Sequence, residues 1–264
     1  MECKTLTRIF FSPNGTTEKA VRGCTDVFSL EAEQLDLLRE PLGDRLSLPP
    51  EKLAVVGMPV YSGRLPPLCR AMLEQLQGSG TPAIAMVVYG NRAYDDALLE
   101  LTTLLEDRGF LVIGAGAFPA QHSIFPKVAA GRPGQEDLAL IRAFGCRCRE
   151  LLEHCQPGER SLVQVRGNPD YRKYSPVPLK PSTDKRCTRC GLCVTLCPTH
   201  SIPESAPQQV RRQTCIACGA CIHNCPAHAR AFRGPMYAIA SALFQKRCSV
   251  PQAPEMFYRE KITG

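Results

Sequence analysis

The 264-residue chain has no tryptophan, and aromatic residues make up only 6% of it, so no indole is available to stack on a flat ligand. Long apolar runs are missing too. The longest, residues 83–88, is far shorter than the roughly 20 residues that cross a bilayer, so no membrane span is expected. The opening MECKTLTRIFF lacks an extended apolar region followed by a small-residue cleavage site, which makes the cytoplasm the expected location. No catalytic triad or carboxylate pair can be recognised, which argues against chemistry carried by a side-chain nucleophile or acid/base pair. Apolar residues still make up 44% of the chain against 22% charged, enough for a sizeable core.

Cysteine is abundant. Fifteen cysteines without a secretory signal imply a reducing interior. Eight of them lie between residues 187 and 226, where one pattern occurs twice. The first copy is Cys187, Cys190, Cys193, Cys197 and Pro198; the second is Cys215, Cys218, Cys221, Cys225 and Pro226. This is the C-x₂-C-x₂-C-x₃-C-P run whose fourth cysteine ligates the other of two [4Fe–4S] clusters. Three cysteines spaced three apart can wrap three corners of one cube, but the same loop cannot reach the fourth. The expected ligand sets are therefore Cys187, Cys190, Cys193 and Cys225 for one cluster, and Cys215, Cys218, Cys221 and Cys197 for the other. Gly191 and Gly219 are expected to let the backbone pass close to inorganic sulfur. Structural zinc prefers separated cysteine pairs, and disulfides need an oxidising compartment. Over its roughly forty residues this stretch resembles the two-cluster bacterial ferredoxins.

The other seven cysteines, Cys3, Cys24, Cys69, Cys146, Cys148, Cys155 and Cys248, read as free thiols. Cys146 and Cys148 point to different helix faces, so with Cys155 they read as helix cysteines and not as a further metal site. The formal net charge of +7 suggests nucleic acid or membrane until the cofactors are counted. Each cluster with four thiolates carries about −2, and a flavin phosphate subtracts more. No nucleic-acid partner is expected. Arg160, Arg166, Arg172, Lys173, Lys180, Lys185 and Arg186, with Arg211, Arg212, Lys246 and Arg247, read as a solvated surface offsetting the clusters, or as docking for an acidic redox partner.

Residues 1–155 alternate strands and helices. Strands are expected at 6–11, 32–37, 52–58, 83–89 and 110–117, and helices at 16–27, 65–77, 95–108 and 135–154. Five strands with crossovers make a parallel sheet covered on both faces. Ligands of such sheets bind at the carboxyl ends of strands. The loop after strand one carries Ser12, Asn14, Gly15, Thr16 and Thr17, a hydroxyl- and amide-rich turn into a helix N-terminus, suited to a phosphate dianion or simply a good turn. The loops after strands three and four, 59–64 and 89–95, bring aromatics and glycines to the same edge, the walls an isoalloxazine needs.

On those loops, residues 5–155 resemble the flavodoxin-like FMN-binding domains. The resemblance implies phosphate contacts from Ser12, Asn14, Gly15, Thr16 and Thr17. It implies ring contacts from Pro59, Val60, Tyr61, Ser62 and Gly63 and from Tyr89, Gly90, Asn91, Tyr94 and Asp95. The usual loop reads roughly Ser/Thr-x-Thr-Gly-Asn-Thr; here Asn14 precedes the glycine and Thr16 follows it. Without tryptophan, stacking falls to Tyr61, Tyr89 or Tyr94. Gly114-Ala-Gly116-Ala-Phe-Pro119 imitates a dinucleotide fingerprint but has proline at the third-glycine position and no following helix. Nearby His122 reads as a loop histidine, with proton donation as the alternative.

Residues 156–186 are a proline-rich connector broken by Pro157, Pro169, Pro176, Pro178 and Pro181, with Tyr171 and Tyr174 pinning it to a domain surface. Residues 187–264 form the cluster domain, closed by a helix at 235–247 whose Met236, Ile239, Ala240 and Leu243 are expected to pack on the cluster module. The fold class is thus α/β, a flavodoxin-like doubly wound five-stranded parallel sheet followed by a small α+β two-cluster ferredoxin-like domain. The order of the two domains is similar to the EFR1-type flavodoxin–ferredoxin fusion family. That resemblance implies an iron–sulfur flavoprotein with FMN and two [4Fe–4S] clusters, coupling one-electron carriers to a two-electron redox partner protein or small-molecule acceptor. Two alternatives stand beside it: a ferredoxin-type carrier whose first domain only docks a partner, and a flavin-dependent reductase of a quinone or small molecule.

Overall fold

A computed structural model describes residues 3–155 and 163–260. Pro157 and Arg160 of the connector lie outside the described residues. The first domain is built on β1 (Thr5–Phe10), β2 (Glu31–Asp36), β4 (Lys52–Pro59), β6 (Thr81–Tyr89) and β7 (Phe110–Pro119), with β3 (Leu46–Leu48) and β5 (Leu76–Gly78) as a small side pair. Its helices are α1 (Thr16–Thr25), α2 (Pro67–Leu73), α3 (Ala97–Asp107) and α4 (Gln135–Glu153). The main sheet runs β7-β6-β4-β1-β2, all parallel. Counting only these five strands, the order is 2-1-3-4-5, the flavodoxin-like doubly wound arrangement.

Period-two patterning sorts the side chains. Ala83, Ala85, Val87 and Tyr89 of β6 join one core with α2 and α3, while Ile84, Met86 and Val88 join the other with α1 and α4. Because both faces are covered, β4, β6 and β7 read as continuous apolar runs. The Gly114–Gly116 run lies wholly inside β7. A Cβ at Gly114 would come within 2.5 Å of Cys148 Sγ, so this glycine serves helix packing. Cys148 is buried and Cys146 only half-buried, on different sides of α4.

Two elements depart from the sequence-based expectation. The helix expected over 65–77 stops at Leu73, and residues 76–78 form β5 instead. Main-chain bonds decide this: Gly78 N donates to Arg108 O at 2.8 Å and Leu46 N to Gln75 O at 3.0 Å, partners available only after the sheet forms. The second departure is β10 (Glu255–Tyr258), which pairs antiparallel with β7 and caps the sheet edge. Residues 255–258, expected in the cluster domain, return to the first one.

The second module holds β8 (Ser182–Thr183), α5 (Leu192–Thr195), α6 (Ala220–His223), β9 (Arg230–Ala231) and α7 (Pro235–Arg247). β8 and β9 pair antiparallel. The face of α7 is not the expected one. Met236, Ile239 and Leu243 are 67%, 64% and 66% exposed. Instead Tyr237, Ala240 and Phe244 pack on Ile124, Phe125 and Val128 from the loop after β7. Aromatic contact and the bond from Tyr237 Oη to Ile124 O (3.1 Å) outweigh a stripe of smaller side chains. Among the described residues no helix is long and apolar enough to cross a membrane.

Candidate functional site

The site begins at the carboxyl end of β1. Gly15, at φ 79°, turns the chain into α1 in a conformation that suits glycine. Ser12 Oγ accepts from Glu18 N (3.0 Å), and Thr16 Oγ1 donates to Asn14 Oδ1 (3.0 Å). The amides of Thr16 and Thr17 have no hydrogen-bond partner among the described residues, and the buried Thr17 Oγ1 is also unpaired. Orphan donors at the start of a ten-residue helix fit a phosphate group.

Two adjoining cavities open beside this loop, of about 90 and 260 Å³. Asn14, Thr16, Pro59, Val60, Tyr61, Ser62, Tyr89 and Gly90 line the smaller, as the sequence suggests. Other expected contacts are engaged elsewhere. Tyr94 is buried and donates its hydroxyl to Glu255 Oε2 (2.9 Å). Asn91 holds the chain end, donating to Cys248 O and Val250 O (3.0 Å each) and accepting from Gln252 N (2.9 Å). Asp95 pairs with Arg92 and Arg172, and Gly63 packs against Asp95. Tyr61 and Tyr89 remain to face a planar ligand. Burial raises both phenols, that of Tyr89 to about 12, so both stay neutral donors.

The loop after β7 adds wall residues that sequence reasoning missed. Gln121, His122, Ser123 and Ile124 line both cavities. His122 is no exposed loop histidine. Its Nδ1 accepts from Ile124 N (3.1 Å) and Phe125 N (3.2 Å), which leaves the proton on Nε2. Burial lowers its pKa to about 4, so the ring is neutral at physiological pH. The carboxyl-end rule applied to the fifth strand would have found this residue.

Connector and cluster module complete the enclosure. Asn168 N and Arg172 N donate to the two Asp96 carboxylate oxygens (2.9 and 2.8 Å), and Arg64 donates to Arg172 O (2.6 Å) while lying over the Tyr171 ring. Tyr174 and Val177 then reach the smaller cavity. Ile216 and Ala217, between Cys215 and Cys218, line it too. His223 lines the larger cavity, near Gly15, and Asn224 Nδ2 donates to Pro13 O (3.5 Å). Of the basic residues expected on the surface, Lys180 is a partly buried tie, while Arg166 and Arg186 form ion pairs and stay exposed. Lys180 donates to Val177 O and Cys215 O, Arg166 pairs with Glu255 and Arg186 with Asp184.

The eight cysteines gather as two quartets. Cys187, Cys190, Cys193 and Cys225 line one small cavity; Cys197, Cys215, Cys218 and Cys221 line another. Each triplet is completed by the fourth cysteine of the other copy. Repeat symmetry extends to the backbone: Ser201 N donates to Cys197 Sγ (3.2 Å) and Ala229 N to Cys225 Sγ (3.4 Å). Gly191 and Gly219 sit at φ 81° and 83° at the starts of α5 and α6. These left-handed conformations suit glycine. Arg189 and Ala217, at equivalent positions, hold φ of 57° and 55°, local strain of the kind found at functional sites. Burial raises Cys218 and Cys221 to about 12, so metal binding there must release protons. Each of the two cavities is ringed by four thiols, a donor set that fits an iron–sulfur cluster.

Fold and site together define a flavodoxin-like α/β domain joined to a cysteine-rich dicluster module. Residues 181–226 match the 4Fe-4S dicluster domain family. No curated protein matches the chain. Among solved structures, rubredoxin oxygen:oxidoreductase from Desulfovibrio gigas is 13% identical, over 58% of this chain and 37% of that one, at a TM-score of 0.39. Oxidised flavodoxin 1 from Bacillus cereus is 18% identical over 58% and 99%, at 0.39. A flavodoxin from the domain Archaea is 12% identical over 57% and 100%, at 0.36. The chain thus spans 37% of the length of the first of these.

Proposed function

We propose that this chain is an iron–sulfur flavoprotein that passes electrons between FMN and two [4Fe–4S] clusters, joining one-electron carriers to a two-electron partner or substrate. The observation that carries the reading is a shared wall. Ile216 and Ala217, inside the second cysteine run, line the same cavity as Tyr61 and Gly90. In this reading the flavin accepts one or two electrons while each cluster moves one.

The chain's own residues bind and orient. Thr16, Thr17 and their amides hold the phosphate, Tyr61 and Tyr89 flank the ring, and His122 offers a neutral Nε2–H donor. The eight cysteines hold the clusters in the crossed pairing, with the Cys215 quartet next to the flavin and the Cys187 quartet outward. Residues 1–155 act as the flavin unit, 156–186 as a connector whose Tyr174 and Val177 also wall the cavity, and 187–254 as the cluster unit. Domain order supports assignment to the EFR1-type flavodoxin–ferredoxin fusions.

Anaerobic purification with iron and flavin analysis tests the reading. About eight irons and one FMN per chain are expected. Intact clusters with no acid-released flavin would instead favour a ferredoxin-type carrier whose first domain only docks a partner. Steady reduction of a quinone by the loaded protein without any protein acceptor would favour a direct reductase.

A further inference from the structure

The two cysteine runs are related by a shift of 28 residues, which takes Cys187 to Cys215 and Cys197 to Cys225. The same shift takes Ile202 to Arg230. Both side chains are buried, each at 3% exposure, and each lines a cluster cavity: Ile202 that of the Cys215 quartet, Arg230 that of the Cys187 quartet. One cavity therefore has an aliphatic wall where the other has a guanidinium, whose charge also reaches Cys215 and Cys221 of the neighbouring quartet.

Arg230 is short of partners. It donates through Nη2 to Pro207 O, while Nη1 is buried without any acceptor. No ion pair to a carboxylate is formed by Arg230 among the described residues. A buried, unpaired cation is costly unless an anion sits beside it. A [4Fe–4S] core with four thiolates supplies about −2, and one added electron takes it to about −3. A fixed positive charge favours the more negative state, which is the reduced one. The outer quartet is also the wetter: Cys190 is exposed, whereas Cys218 is buried.

Building on the cluster reading above, we infer that Arg230 is the counter-ion of the Cys187 cluster and sets its reduction potential above that of the Cys215 cluster. An electron entering at the flavin-side cluster oxidises no ligand and moves no atom. It leaves that cluster at about −2 and takes the outer one to about −3, where Arg230 holds it until a partner removes it.

Anaerobically purified holoprotein, titrated with dithionite and followed by electron paramagnetic resonance, tests this in wild type, Arg230→Gln and Arg230→Lys. Wild type should show two separated midpoints. Arg230→Gln keeps a donor for Pro207 O but loses the charge. Its upper midpoint should fall so that the reduced-to-oxidised ratio at fixed potential drops about tenfold, about 59 mV for one electron. Arg230→Lys should restore most of the separation. Ile202→Arg, which moves a guanidinium to the other cavity, should raise the lower midpoint and supports the inference even if Arg230→Gln loses iron. Coincident midpoints in wild type, or unchanged midpoints in an Arg230→Gln protein with full iron, would overturn it. Wild-type protein lacking cubane signals altogether would instead overturn the cluster reading on which it rests.

Discussion

Burial keeps the His122 imidazole neutral, and that has a measurable cost in acid. Free imidazole titrates at about 6.5, the folded ring at about 4. The unfolded chain therefore binds more protons across that window, and this share of stability is complete above pH 6.5 and is lost as pH falls toward 4. His122→Gln should flatten that part of the profile, read as the difference in urea midpoints between pH 7 and pH 5. The same residue scale holds Glu100, 2% exposed, which accepts from Arg64 Nε and Nη2 (2.7 Å each) and from Leu65 N (3.0 Å). Glu100→Gln leaves Arg64 without its anion. Removing one partner of a buried pair costs about 3–5 kcal/mol, to be checked by denaturant unfolding at pH 7. Arg64 also carries the connector through Arg172 O, so the loss should loosen the cavity wall as well.

At the scale of elements, β10 is the strand that local patterning could not announce. Four residues near the chain end have no reason to be a strand until the edge of β7 is free to receive them. Tyr94 locks the strand from below by donating to Glu255. Tyr94→Phe removes only that bond and should cost about 1 to 1.5 kcal/mol, visible as a lower thermal midpoint with unchanged far-ultraviolet circular dichroism. The expected role of Tyr94 as a stacking ring gives way for the same reason: a phenol committed to the sheet edge cannot turn into the cavity. Helix α7 makes the complementary point. Its Met236, Ile239 and Leu243 spacing is a fair apolar stripe, yet Tyr237 and Phe244 find the aromatic Phe125 and set the rotation of the helix.

For the molecule as a whole, the loop after β7 is the hinge of the arrangement, because it meets both the cavity and the cluster module. Phe125 is 7% exposed and contacts His122, Tyr237 and Phe244. Phe125→Ala should cost about 3–5 kcal/mol and, on the proposed reading, weaken retention of FMN while leaving iron content near wild type. Limited proteolysis after α7 and flavin fluorescence on dilution check the two halves of that expectation. Loss of iron together with flavin would place the domain contact under the clusters themselves.

Spacing within the chain was enough for the cysteine quartets and the five main strands, though not for the strand at 76–78. Two runs of four cysteines dictate two quartets because a loop of that length reaches three corners and no more. Alternating buried runs and amphipathic helices dictate a parallel sheet because each must hide one face. Fragments joined over long separations needed the tertiary structure: His122, Asn14, Ile216 and Tyr61 on one cavity, β10 against β7, and Arg230 where the repeat has Ile202. Such contacts depend on which surfaces remain uncovered once the sheet and both cysteine loops are in place, and that is a property of the packed molecule that no window of residues contains.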